Sequence, residues 1–284
     1  MTVFKTLVAA SYDAQAERYV RSSDMQSGNL SRLLELADPF LRRSDAQTVL
    51  DLGCGAGAAI PHLAARGLFS MESYLGIDLS SAMIVLARRR FQDDKHSFLR
   101  GEAEALPAAD ESIDIVLSNS VLHWLNQPKL GSTPAKAFKE IARCLRRGGV
   151  LAASIAGVGT GRRFLEAYRE SMNTIRQNRG EFNEAMFLAN PVGCMNLHEV
   201  VDTAAREGLE VVLAELDYEP VRFSSAHAYC EAVRAYGYSA FMAALPAERQ
   251  PEGWESVCRA FLVAVGDGPY VHDQYMCYLV AMKP

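Results

Sequence analysis

Apolar stretches typical of β-strands alternate with amphipathic, helix-type stretches along residues 48–156 of the chain. Five short apolar runs lie there, and helix-type segments separate most of them. Strands joined through helices predict right-handed crossovers and a mainly parallel sheet with helices on both faces. Two later apolar runs, at about 210–223 and 274–283, predict a closing strand pair with an antiparallel last strand. The predicted fold is therefore α/β, with a doubly wound, seven-stranded, mainly parallel sheet.

The remaining segments have helical patterns, and no Pro/Gly-rich linker separates them from the strands. We therefore predict a single domain, residues 1–284, in which helical segments are added to one core. The core is assigned to about 45–156, 198–225 and 270–284. The helical additions are an N-terminal cap at 1–44 and two lid insertions at about 157–197 and 226–266.

Local residue preferences predict several element ends. A polar stretch at 21–29 predicts a break between two helices of the cap. Ser80 is one of two serines placed to cap the helix that follows the second strand. Thr133 and Pro134 fit the N-cap and first position of a helix, which is expected to continue as far as Gly148.

Composition narrows the classes of function. The net charge is −5 and no polybasic run occurs, which argues against a nucleic-acid or anionic-membrane partner. The six cysteines are scattered without a C-x-x-C pair, and the histidines form no H-E-x-x-H motif, so we predict free thiols and no metal site. The N-terminus lacks a convincing signal peptide and no apolar run is long enough to span a membrane. A cytoplasmic protein is expected.

The first strand runs into a glycine-rich turn, "VLDLGCGAG", that is followed by a helix. Gly53, Gly55 and Ala58 satisfy the spacing of a dinucleotide-binding loop. Asp78 ends the second strand, 21 residues after Gly57, where a carboxylate can accept hydrogen bonds from both hydroxyls of a ribose. A ligand that contains adenosine is therefore predicted, and NAD still fits.

Two acidic residues favour a ligand other than a dinucleotide. Asp51 lies two residues before Gly53, where its carboxylate would repel a pyrophosphate and attract an ammonium group. A second interpretation, in which Asp51 only holds the loop through hydrogen bonds, stays open. Glu102 and the backbone of Ala103, after the third strand, are placed to meet the exocyclic amine of adenine.

Four segments in this order and spacing resemble the motifs of class I S-adenosylmethionine (SAM)-dependent methyltransferases: "VLDLGCGAG", "YLGIDLS", "GEAEALPAADESIDIVLSNSVLHWL" and "LRRGGVL". The resemblance covers about residues 45–155. It implies a Rossmann-like methyltransferase fold, SAM as cofactor and S-adenosylhomocysteine as product. It also implies that the glycines of the loop surround the methionyl part of SAM. This chain departs from the family pattern at Glu102, where aspartate is common.

The cofactor-binding residues expected from the residues and the resemblance together are Tyr12, Tyr19, Asp51, Gly53, Cys54, Gly55, Gly57, Asp78, Leu79, Met83, Glu102, Ala103, Ser118 and Asn119. Tyr12 and Tyr19 belong to "SYDAQAERY", which is similar to an N-terminal helix that closes over the cofactor in this family. The alternative for both is a surface helix with an aromatic stripe. Met83 fits either the adenine site or the core, and Cys54 is expected to be a small side chain that fits the turn.

The stretch "SNSVLHWLNQP" after the fourth strand supplies the catalytic candidate, His123, as a general base or as a group that orients the substrate. The alternative is a histidine packed at a helix start. "L-H-W" resembles the "L-Q-W" of methyltransferases that act on carboxylates of malonyl carriers or aconitate, but histidine replaces glutamine. It also resembles methyltransferase-like assembly factors. The substrate-binding candidates, mostly from the lid insertions, are Trp124, Arg163, Phe164, Phe187, His227 and Tyr236.

These observations predict an enzyme that methylates a small organic molecule at oxygen, nitrogen or carbon, by in-line transfer. The oligomeric state is left open. Three alternatives remain: a SAM-binding assembly factor, a protein or RNA methyltransferase, and an NAD oxidoreductase. Cofactor binding, a methylated product or a basic rim around the pocket distinguishes them.

Overall fold

A computed structural model gives the structure of most of the chain. It describes residues 2–21, 24–41, 47–67, 71–178, 182–187, 193–236 and 238–284. The predicted boundary between cap and core, at 44–45, lies outside the described residues.

Helices and strands alternate as the sequence pattern predicts. The helices are α1 (Val3–Arg21), α2 (Asp24–Ala37), α3 (Ala59–Ala65), α4 (Ser81–Phe91), α5 (Pro134–Cys144), α6 (Arg162–Asn178), α7 (Glu184–Phe187), α8 (Leu197–Arg206), α9 (Ala226–Ala235) and α10 (Gln250–Val265). The strands are β1 (Gln47–Leu52), β2 (Met71–Asp78), β3 (His96–Arg100), β4 (Ile113–Asn119), β5 (Leu145–Ala156), β6 (Glu210–Tyr218), β7 (Val221–Phe223), β8 (Tyr270–His272) and β9 (Tyr275–Met282).

One sheet of seven strands has the order β3-β2-β1-β4-β5-β9-β6. The first five strands pair in parallel, and β9 lies antiparallel between β5 and β6. This confirms the predicted doubly wound sheet with an antiparallel last strand. β1 and β4 are neighbours whose following chains continue in different directions, so their carboxyl ends open a crevice at the centre of the sheet.

Both faces of the sheet are covered by apolar helix faces. Leu33 of α2 and Ile84 of α4 pack with Tyr74 on one face, whereas Phe138 and Ile141 of α5 pack on the other. All five side chains are buried. Burial on both faces explains why the central strands are almost continuously apolar rather than alternating.

The two lid insertions and the start of α1 form a core of their own. Phe4 and Val8 of α1 pack with Phe164 of α6, Tyr229 of α9 and Phe261 of α10. The cap helix is therefore attached to the lid through buried apolar contacts and lies across the carboxyl edge of the sheet.

Three local predictions are wrong. β7 does not continue β6; it leaves the main sheet and pairs antiparallel with β8. α2 begins at Asp24, well inside the predicted break at 21–29, because its apolar side chains pack onto the sheet. α5 ends at Cys144 rather than Gly148, because β5 begins at Leu145 and pairs there with β4.

All six cysteines are free thiols. No group of metal-ligating side chains is found in the described ranges. In the same ranges, no helix has the length and apolarity needed to cross a bilayer.

Candidate functional site

The glycine turn after β1 has the conformation that its sequence predicts. Gly53, Gly55 and Gly57 have φ values of 73°, 51° and 82°, in the left-handed region that favours glycine. A Cβ on Gly53 would lie 2.1 Å from Cγ2 of Val121, so the backbone there approaches the loop after β4 more closely than any side chain allows. The turn is consequently fixed against the neighbouring loop at the centre of the sheet.

The carboxylate of Asp78 joins the turn after β1 to the start of α4. Oδ2 accepts the backbone N–H of Gly55 at 2.9 Å, and Oδ1 accepts the N–H of Ser80 at 2.8 Å. Burial raises the pKa of Asp78, although the hydrogen bonds from Ser80 and Gly55 oppose that shift. The side chain is only half-buried and borders a cleft, so it has acceptor capacity left for a ligand.

A cleft of about 890 Å³ opens between the carboxyl ends of β1, β2 and β4 and the helix α1. It brings together most of the predicted cofactor residues, with Trp124. The predicted residues that line it are Tyr12, Tyr19, Gly53, Gly55, Asp78, Leu79, Met83, Glu102, Ala103, Asn119 and Trp124.

Four predicted cofactor residues lie behind this lining. Asp51 is buried and accepts the hydroxyl of Tyr74 at 2.5 Å. Cys54 is buried, and burial raises the pKa of its thiol, so it is no reactive thiolate. Gly57 faces Phe91, whose Cδ2 would lie 2.6 Å from an added Cβ. Ser118 is fully buried in β4 and does not line the cleft.

Lys5 is a cleft residue that the sequence analysis missed. Its ammonium donates to Glu102 at 2.8 Å and to Glu104 at 2.6 Å, and the side chain is buried. Hydrogen bonds from Lys5 lower the pKa of Glu102. These ion pairs join α1 to the loop after β3, where adenine recognition was predicted. The apolar and polar residues of α1 are not clearly separated on two faces. The sequence pattern therefore does not indicate that Lys5 has acidic partners far away in the chain.

A second cavity of about 570 Å³, here called the chamber, adjoins the cleft. Its described lining consists of Tyr12, Tyr19, Met25, Gln26, Asn29, Ser120, His123, Trp124, Ala156, Thr160, Val233, Tyr236, Tyr238, His272, Gln274 and Met276. Tyr12, Tyr19, Ser120 and Trp124 line both cavities. The cleft and the chamber therefore meet at one small wall, the arrangement that a two-reactant site requires.

Aromatic contacts fix this shared wall. The ring of Tyr12 lies edge-on to Tyr19 at 5.6 Å and to Trp124 at 6.1 Å, and Trp124 stacks on Phe241 of the lid. The hydroxyl of Tyr12 donates to the carbonyl of Tyr236 at 3.0 Å. Such rings attract a cationic centre while they exclude water from it.

The chamber is polar but uncharged. Among its described lining residues there is no aspartate, glutamate, lysine or arginine. Burial lowers the pKa of His123 to about 3 and that of His272 to about 4, so both imidazoles are neutral at physiological pH. Nδ1 of His272 and Oε1 of Gln274 are buried without a hydrogen-bond partner in the described chain. The chamber thus offers neutral polar groups to a guest.

Four predicted substrate residues line neither cavity. Arg163 is exposed on α6, and His227 is exposed on α9. Phe164 lies inside the lid core against Tyr229 and Phe261. Phe187 packs beside Phe182 under the guanidinium of Arg176. Each of the two phenylalanines is used in lid packing, whereas Tyr236 does reach the chamber.

Most residues of the chamber were not predicted, and three of them bear on its chemistry: Ser120, His272 and Gln274. Ser120 has φ of 60°, a rare conformation for a non-glycine residue, at the wall shared by both cavities. His272 ends β8 and Gln274 directly precedes the apolar strand β9, and both polar side chains are buried. Polar residues next to an otherwise apolar strand are a usable indication of a site, although the long insertions hide which cavity they face.

The comparisons with known proteins agree with this geometry. A family model described as "Methyltransferase domain" matches residues 50–153, the segment that contains the glycine turn, Asp78 and His123. A malonyl-[acyl-carrier protein] O-methyltransferase of Hahella chejuensis is 30% identical over 203 residues, which cover 66% of this chain and 68% of that protein. The chain belongs to the class I SAM-dependent methyltransferases.

Other comparisons extend this methyltransferase assignment. A protein of the same name from Methylovorus is 27% identical over 240 residues, 82% of this chain and 73% of its own length. Four further relatives of that name are matched over only 53–63% of their lengths. The solved structure of BH2331 from Bacillus halodurans has a TM-score of 0.56 at 17% identity, covering 90% of this chain and 99% of that one, which shows the shared fold. The alternatives kept in the sequence analysis are not favoured.

The methyltransferase's Asp78 gives the first test. The Asp78→Asn substitution should weaken SAM binding by about 10- to 100-fold, because a neutral amide replaces the carboxylate that we expect to accept hydrogen bonds from the ribose hydroxyls. Isothermal titration calorimetry measures the effect. Asp114→Asn is the matched control, since Asp114 binds the N–H of Thr48 near the opposite ends of the strands. Equal affinities of the Asp78 variant and the wild type would remove the ribose assignment.

The ion pairs of Lys5 give the second test. The Lys5→Met substitution leaves Glu102 and Glu104 without their shared cation, so α1 should be held less firmly over the cleft. We expect SAM affinity to fall by about 3- to 30-fold and the melting temperature to decrease. Lys136→Met, on the exposed face of α5, controls for the loss of one positive charge. If both variants bind SAM alike, Lys5 has no part in closing the cleft.

Buried Asp51 gives the third test, a dependence of stability on pH. Burial raises its pKa from 3.8 to about 7, with the Tyr74 hydrogen bond acting in the opposite direction. The folded state then holds a proton that the unfolded state releases between about pH 4 and pH 7. In this window the free energy of unfolding falls as pH rises, by up to ~1.4 kcal/mol per pH unit from this group.

The Asp51→Asn substitution removes that contribution while keeping an oxygen for the hydroxyl of Tyr74. Urea denaturation at pH 5 and at pH 7 should therefore show a smaller difference for the variant than for the wild type. The same difference in both proteins would mean that Asp51 titrates as it does in the unfolded chain.

Proposed function

We propose that this methyltransferase binds SAM in the cleft and methylates a carboxylate of a small or carrier-linked acyl compound in the chamber. The malonyl-[acyl-carrier protein] methyltransferases among its relatives motivate the carboxylate class. The observation that carries the proposal is the uncharged chamber, which shares the wall of Tyr12, Tyr19, Ser120 and Trp124 with the cleft.

The residues of the cleft fit SAM. Asp78 and the glycine turn suit an adenosine and an amino-acid end, and the aromatic wall suits a cationic centre. Lys5 is the one cationic side chain among the described cleft residues, and its charge is balanced by Glu102 and Glu104. A ligand with a diphosphate would find no free cation there, whereas a ligand without phosphate needs none. When bound, SAM supplies an electrophilic methyl group on a cationic sulfur.

The side chains of the chamber narrow the chemical class of the methyl acceptor. An alcohol or a phenol must lose a proton to become an effective nucleophile, and a general base works best when its pKa lies near the working pH. The imidazoles of His123 and His272 have pKa values of about 3 and 4, too low for that role. Burial also raises the pKa of Tyr12 and Tyr19. No competent base is therefore present among the described chamber residues.

A carboxylate needs no base, because it is already ionised at neutral pH. Its oxygen bonds to the methyl carbon as the carbon–sulfur bond breaks, the electron pair of that bond stays on sulfur, and no proton is transferred. An amine acceptor, by contrast, arrives protonated and would need an acidic side chain, which the described lining lacks. The neutral chamber thus supports an anionic oxygen nucleophile.

The test supplies radiolabelled SAM with a malonyl thioester on an acyl carrier protein, and with the acetyl thioester as a matched acceptor that lacks the free carboxylate. We expect label in the malonyl sample only, and we expect alkali to release it as methanol, as it does from a methyl ester. Alkali-stable label would identify nitrogen or carbon as the acceptor. Absence of label across a panel of carboxylates, with SAM binding intact, would refute the carboxylate class.

A further inference from the structure

One hydrogen bond determines the proton positions of His123. The side chain lies in a short 3-10 helix, Leu122–Leu125, and its Nδ1 is 3.3 Å from the backbone nitrogen of Ala156 at the end of β5. A backbone N–H can only donate, so Nδ1 must accept. A neutral imidazole that accepts through one nitrogen carries its proton on the other. His123 is therefore the tautomer with a proton on Nε2.

The surroundings keep this ring neutral and fixed. The side chain is 4% exposed, and no charged residue is found among the described lining of its chamber. Trp124 lies against the ring, with centroids 5.6 Å apart. Within the described chain, the contact with Ala156 is the one hydrogen bond of the ring. The Nε2–H group is thus a preoriented donor that has no protein acceptor to satisfy.

We propose that His123 binds the acceptor's carboxylate through its Nε2–H and orients one oxygen toward the cleft, and that it is not the general base. This inference rests on the proposed function, which supplies the carboxylate. His123 then has a defined role as a hydrogen-bond donor to the substrate in the chamber.

The sign of the kinetic effect follows from the charge on the acceptor. A carboxylate carries a full negative charge before methyl transfer and loses it as the ester forms. The hydrogen bond from Nε2–H is therefore at least as strong in the bound substrate as in the transition state. An interaction of this kind lowers KM and leaves kcat little changed. A general base would show the opposite pattern, with its loss appearing in kcat.

Two variants separate these roles. His123→Gln keeps both functions of the ring, since the amide oxygen can accept from Ala156 and the amide nitrogen can donate into the chamber. We expect its KM for the malonyl thioester to stay within about 3-fold of the wild type. His123→Leu removes the donor and should raise KM about 10- to 100-fold with kcat within about 3-fold. His62→Gln, at a histidine bonded to Ser27 and Ser31 outside both cavities, is the control.

A large loss of kcat in both His123 variants would overturn the inference, because glutamine cannot accept a proton as a base does. Melting temperatures accompany the kinetics, since the Leu substitution leaves the N–H of Ala156 unpaired. If that variant does not fold, the comparison of Gln with wild type still decides between donor and base.

A spectroscopic experiment tests the tautomer of His123 and its contact with the acceptor without requiring catalysis. Nitrogen-15 NMR of the labelled imidazole at pH 7 should show Nδ1 unprotonated and Nε2 protonated. Adding malonyl-pantetheine with S-adenosylhomocysteine should shift the Nε2–H proton downfield, and acetyl-pantetheine should not. A proton on Nδ1 overturns the inference and leaves the carboxylate proposal standing. If the tautomer is as expected but no malonyl-dependent shift occurs, the donor role is wrong. Methyl-ester formation in the labelling assay then tests the proposed function separately.

Discussion

The carboxylate of Asp78 is the interaction on which the site depends. It ends β2 and accepts backbone N–H groups from Gly55 in the turn after β1 and from Ser80 at the start of α4. Without that acceptor, two adjoining loops would present unpaired amides at the crevice of the sheet. One side chain therefore fixes the relative position of two loops and still borders the cleft where a ribose is expected to bind.

The position of the cap helix follows from the same loop. Oγ of Ser80 bonds to Asp13 of α1, and the N–H of Ala82 donates to the same carboxylate oxygen at 2.9 Å. Eight residues nearer the N-terminus, about two helix turns away, Lys5 makes its two ion pairs with the loop after β3. α1 is thus joined at both of these points to loops that line the cleft. Helix α1 also places Tyr12 in the wall between the cleft and the chamber, so one helix borders both cavities.

The sequence predicts the parts of this arrangement that obey local rules. Period-two and continuous apolar patterns predict the strands, and the left-handed glycines of the turn are recognisable because other residues rarely adopt this backbone conformation. The position of Asp78 is predicted by its place at a strand end. Lys5, His272 and Gln274 could not be predicted, because their partners or their cavity are far away in the chain. Arg163 and Phe164 were chosen as chemically suitable lid residues, yet helical packing turns one to solvent and buries the other.

The histidine of "L-H-W" illustrates how a structure can change the meaning of a motif. From sequence, histidine in place of the glutamine of "L-Q-W" puts the carboxylate substrate in doubt, since imidazole is usually considered a base. In the structure, Nδ1 accepts the N–H of Ala156, which leaves Nε2–H as a donor. A glutamine amide presents the same pair, one acceptor and one donor at neighbouring atoms. The two residues are therefore equivalent in hydrogen bonding at this position, and the substitution is compatible with the same class of acceptor.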